Sequence, residues 1–119
     1  MFILAAKTNV PLRAIFELPM NGNLGNFNII TFRTENGVPV GPEHTGPDQT
    51  IPKDEVQTDA VFLHQIFVDP APAHPVKMTI RYTQDGQPVT ITNEETGDAV
   101  EAIEVKISGP SARAQVVIA

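Results

Sequence analysis

Residues 76–92 read "VKMTIRYTQDGQPVTIT", and the fold turns on how this stretch is read. Val76, Met78, Ile80 and Tyr82 alternate with Lys77, Thr79, Arg81 and Thr83. Successive side chains of a strand point to opposite faces, so a period of two marks a strand with one buried face. Asp85-Gly86 follows, a pair suited to a two-residue hairpin turn because glycine accepts the positive φ such turns demand. Setting Gln84 opposite Gln87 fixes a register in which Tyr82 faces Val89 and Ile80 faces Ile91 on the buried side. On the outer side Arg81 then faces Thr90, Thr79 faces Thr92 and Lys77 faces Glu94. A slip of one residue would exchange the two faces.

The same pattern extends in both directions. Pro11 to Leu18 alternates, with Leu12, Ala14, Phe16 and Leu18 set against Arg13, Ile15 and Glu17. Phe27 to Arg33 and Arg113 to Ile118 are strand-like, and the N-terminus begins as a strand almost at Met1. Ala60 to Val68 is apolar on both parities except at His64 and Gln65, the pattern of a central strand covered on both sides. Ala99 to Ser108 carries a strand pattern overlaid on a helical one; the stiff Ile and Val side chains favour a strand, entered through a short turn of helix. Eleven prolines and eight glycines punctuate these short runs. The 119 residues therefore form one all-β domain, an antiparallel sandwich of about seven to nine short strands, with a closed barrel as the alternative.

Between the strands, residues 41–55 read "GPEHTGPDQTIPKDE", with proline every fifth residue at Pro42, Pro47 and Pro52. Proline lacks a donor and restricts its predecessor, so this segment is expected outside any central ladder, running extended as a loop or arm over about residues 41–59. Pro42, Glu43, His44, Pro47, Asp48, Pro52, Asp54 and Glu55 are its candidate partner-binding residues. Restricted conformations reduce the entropy lost on docking, and the acids would select a basic surface. A second proline cluster, Asp69 to Pro75, reads as a stiff corner.

Composition narrows the function. The formal charge is −6 and only eight residues are Lys or Arg, so phosphate backbones and anionic membranes are excluded as natural partners. Six acids and one base lie between Glu35 and Asp59, and six acids with no base between Asp85 and Glu104. There is no cysteine to act as nucleophile or to form a disulfide, which favours a reducing compartment. No signal peptide and no apolar stretch long enough to span a bilayer is evident, so synthesis in the cytoplasm is expected, with a virion as a further location.

Ready-made chemistry is scarce. "LPMNGNLGN", residues 18–26, lacks the Lys and Ser or Thr of a phosphate loop and the third glycine of a dinucleotide fingerprint, and reads as a turn. His44, His64 and His74 lie too far apart in sequence to make a local metal pair, and His64 reads as a buried imidazole bonded to backbone. Asn93 to Asp98 offers a minor calcium candidate through Glu94, Glu95 and Asp98, without the longer pattern of an EF-hand. No nucleophile elbow is present, and with no tryptophan and one tyrosine there is no aromatic platform for sugars. No cofactor is called for. The expectation is a non-catalytic structural or assembly protein working through protein partners, as a homo-oligomer or in a larger object. An accessory component of a viral or phage particle, a capsid decoration or tail protein, is the favoured class. The alternative is a small ligand-, sugar- or calcium-binding module.

Overall fold

The alternation of apolar and polar side chains becomes strand through most of the chain. The computed structural model describes residues 1–17 and 26–119, so the turn expected at 18–26 lies outside the described residues apart from Asn26. The first strands are β1 (Phe2–Leu4), β2 (Leu12–Glu17), β3 (Asn26–Glu35), β4 (Val38–Thr45) and β5 (Asp48–Ile51). A 3-10 turn at Lys53–Glu55 precedes β6 (Val61–Asp69) and β7 (Val76–Gln84). Then come β8 (Gln87–Pro88), β9 (Ile91–Asn93), β10 (Ala99–Val100), β11 (Ile103–Ile107) and β12 (Ser111–Ile118).

Two sheets result, and neither closes on itself. The seven-stranded sheet runs β10-β9-β1-β12-β6-β3-β4, and the five-stranded sheet runs β11-β7-β2-β5, with β8 against the end of β7. Each sheet turns one face inward, and Leu4, Phe16, Phe62, Ile66, Met78 and Ile80 belong to the buried core. The fold is all-β and sandwich-like. The count exceeds expectation because two- and three-residue pieces such as β8, β9 and β10 are strands.

Four expectations are corrected. First, Gln84 does pair with Gln87, and the Val89 amide donates to the Tyr82 carbonyl at 2.9 Å, but the hairpin ends there. Ile91 crosses to the other sheet and pairs with Leu4, and Ile103 of β11 takes the place opposite Ile80. Alternation records which face is buried and not which strand is the neighbour, so either isoleucine satisfies the pattern of β7. Second, β1 and β12 run parallel, so the architecture is not wholly antiparallel. The strands are separated by most of the chain, which removes the short connection that would have forced them antiparallel. Third, β6 is central in its sheet but covered on one side only. Phe62, His64, Ile66 and Val68 are buried, whereas Val61, Leu63 and Gln65 are half-buried and Phe67 is 41% exposed. Fourth, the entry to β11 is a bend at Glu101–Ala102, not helix.

Candidate functional site

The proline-spaced stretch is strand for most of its length. β4 is an edge strand of the large sheet, paired with β3 alone, and β5 is an edge strand of the small sheet, paired with β2 alone. Edges accept proline because an outward-facing position needs no donor. Between Thr31↔His44 and Arg33↔Val40 the register shifts, so Gly41, Pro42 and Glu43 stand opposite Phe32 as a bulge. Gly41 supplies the positive φ of 78° there. A tight link at Gly46 and Pro47 then carries the chain from one sheet to the other. The Gly46 amide donates to the Ile29 carbonyl at 3.0 Å, and the Phe16 amide donates to the Pro47 carbonyl at 2.8 Å.

The eight residues expected to bind a partner divide into two sets. His44 and Glu55 are spent on one another: His44 Nε2 lies 2.9 Å from Glu55 Oε2, with both side chains largely buried. This contact ties the edge of the large sheet to the 3-10 turn that follows the edge of the small one. Among the described residues, Glu55 Oε1 is buried without a hydrogen-bond partner. Asp48 is exposed but held by a bidentate bond from Arg13, at 2.9 Å and 2.6 Å. That guanidinium keeps the Asp48 carboxyl below its ordinary pKa. Pro42, Glu43, Pro47, Pro52 and Asp54 remain exposed along the two edge strands and the turn that follows them. Over residues 41–55 the chain therefore runs as the end of β4, the link at Gly46 and Pro47, β5 and the 3-10 turn.

The three histidines do not converge. His74 is exposed in the corner between β6 and β7. His64 is buried, and its partners are side chains, not the backbone expected. Nδ1 lies 2.6 Å from Thr31 Oγ1 and Nε2 lies 2.7 Å from the Tyr82 hydroxyl. A neutral imidazole donates from one nitrogen and accepts at the other, so both contacts are satisfied without charge. Burial lowers the His64 pKa to about 3 and pushes the Tyr82 phenol upward. Phe16 meets the imidazole edge-on at 5.0 Å. The Thr31–His64–Tyr82 chain thus crosses the core and joins the two sheets. Sequence reading missed the link because its members are 18 and 33 residues apart; the only signal was a shared inward parity.

The calcium candidates are arranged as a turn. The Gly97 amide donates to the Asn93 carbonyl at 2.7 Å, the Glu95 amide to Asn93 Oδ1 at 3.0 Å and the Asp98 amide to Thr96 Oγ1 at 3.2 Å. Glu94, Glu95 and Asp98 are exposed around it. Among the described residues no group of three His, Cys, Asp or Glu side chains is placed to hold a metal ion.

The two outer faces differ in chemistry. On the small sheet, Arg13 binds Asp48, Arg81 binds Glu17 at 2.6 Å and Lys77 lies 3.7 Å from Glu104, all solvated. On the large sheet, the register sets Leu63 and Phe67 of β6 beside Gln115 and Ser111 of β12 and beside Phe32 and Asn28 of β3. Arg113 and Gln65 lie between them. That face is largely uncharged, and it includes Phe67 and Arg113, residue types enriched in protein interfaces. Among the described residues no helix is long and apolar enough to cross a membrane. The chain matches no protein-family model, no curated protein and no solved structure.

Proposed function

We propose that this chain is a non-catalytic assembly protein that works by protein–protein contact, as an accessory component of a larger object. The observation that carries this reading is the contrast between its faces. One is a solvated lattice of ion pairs, and the other is an uncovered, nearly uncharged sheet surface around Leu63, Phe67 and Arg113. A rigid platform with one adhesive side is suited to occupying a place, and a viral or phage particle, through a capsid decoration or tail component, is the class of object we infer. The exposed acids Glu43 and Asp54 form a second, charged rim that would steer the platform toward basic surfaces.

A second reading, a small-ligand module, draws on a cleft of about 510 Å³ where β7 meets Pro88–Thr90 and Ala99–Glu101. Light-scattering mass at rising concentration, at low and high salt, separates the two. A defined oligomer supports assembly. A strict monomer that binds a small ligand saturably, with spectral changes confined to Tyr82, Val89 and Val100, would overturn it.

A further inference from the structure

An edge strand presents a row of unpaired N–H and C=O groups, and such an edge either is guarded or recruits another strand. Among the described residues, three of the four sheet edges are guarded. β4 carries Pro39, Pro42 and a bulge, β10 is two residues long, and β5 has four residues between Pro47 and Pro52. The fourth, β11, has five residues, Ile103–Ile107, and contains no proline.

The turn fixes which groups of β11 are free. Gln84 and Gln87 flank a two-residue turn, and the Val89 amide reaches the Tyr82 carbonyl. Even-numbered residues of β7 therefore direct their backbone groups toward the side shared by β8 and β11. Ile103, Val105 and Ile107, opposite Ile80, Met78 and Val76, exchange bonds with them. The backbone groups of Glu104 and Lys106 consequently point away, along the free edge. A cleft of about 430 Å³ runs there between β11 and β12.

The side chains on this edge are unbalanced within one chain. Lys106 stands directly opposite Lys77, a like-charge pair, and forms no ion pair among the described residues. Glu104 is exposed two residues away, 3.7 Å from Lys77. Like charges directly opposite destabilise a sheet, and opposite charges stabilise it.

We propose that β11 pairs antiparallel with β11 of a second copy across a two-fold axis through Val105. This rests on the reading that the chain acts by protein–protein contact, and it names one partner. The geometry is self-complementary. Glu104 of each copy falls opposite Lys106 of the other, and these are the residues whose backbone groups face outward. Each Lys106 gains the carboxylate that its own chain does not supply opposite it. The two five-stranded sheets become one continuous sheet. A two-fold axis perpendicular to that sheet leaves both largely uncharged outer faces of the large sheets pointing the same way, so the dimer presents the adhesive surface twice.

Charge swapping tests this. Lys106→Glu alone and Glu104→Lys alone each set like charges opposite one another at both symmetry-related positions, and each should weaken self-association by roughly tenfold or more. Mixing the two variants restores complementarity, and a mixed dimer should form in sedimentation velocity with near wild-type affinity. The double variant Glu104→Lys/Lys106→Glu should dimerise alone. Thermal melts of each variant report whether the fold is kept. If the wild type oligomerises but the single variants associate equally well, the β11 pairing is overturned while the assembly reading stands. If the wild type stays monomeric to millimolar concentration and the mixed variants do not pair, Lys106 only guards the edge, and the pairing is overturned.

Discussion

His64 carries the largest perturbation of any single group with a functional range near neutrality. Its folded pKa lies near 3 against 6.5 for a free imidazole, because burial disfavours the charged ring. Below about pH 6.5 the unfolded chain takes up a proton that the folded chain refuses. Stability is therefore complete above that pH and falls by about 1.4 kcal/mol per pH unit on the way down toward the folded value. A His64→Gln variant should lose this slope whatever its absolute stability, and urea melts at pH 7 and pH 5 measure the difference. Equal slopes in the two proteins would mean that another group controls the acid limb. A second residue-scale prediction concerns His44. Replacing it with alanine leaves the buried Glu55 carboxyl without its His44 partner, and Oε1 of that carboxyl has no partner among the described residues. The cost should be about 3 kcal/mol in chemical denaturation, whereas the double variant His44→Ala/Glu55→Gln should recover part of it.

At the scale of elements, the alternation along β2 and β7 was readable because each has one wet and one dry face. Leu12, Ala14 and Phe16 of β2 are buried, and so are Met78, Ile80 and Tyr82 of β7. The Asp85-Gly86 turn was readable for the same local reason, with both residues at positive φ of 50° and 75°. What lay beyond reach was partnership. Ile91 and Ile103 are equally buried and equally suited to lie beside Ile80, and the choice between them depends on β9 completing the other sheet next to β1. The proline-spaced segment was legible as extended and as excluded from sheet centres. Its role as the link between two edges was not, because the His44–Glu55 contact that closes it spans the inter-sheet gap. Gly41 makes this legible after the fact. At φ 78° a side chain is strained, so Gly41→Ala should cost about 1 kcal/mol or more by thermal melting. An unchanged melting temperature would show that the bulge tolerates a different backbone.

The whole molecule has two sheets and extends 40 × 30 × 27 Å, with solvated ion pairs on the outer face of one sheet and a largely uncharged outer face on the other. The candidate surface was only partly visible in sequence. Acid-rich blocks were plain to read, yet the apolar part of the outer face comes from Leu63 and Phe67, which a sequence reading assigns to a second buried layer. The edge at β11 depends on parity set by a turn twenty residues away and could emerge only from the register. Joined through that edge, two copies would offer two parallel adhesive faces, and a weak contact made twice to the same object becomes a strong one. The most direct measurement is hydrogen exchange at the amides of Glu104 and Lys106, followed as the protein is diluted. Self-pairing of β11 predicts slow exchange at high concentration that accelerates on dilution, while the amides of Asp48 and Thr50 on the guarded edge stay fast throughout. Fast exchange at Glu104 and Lys106 at every concentration would contradict it.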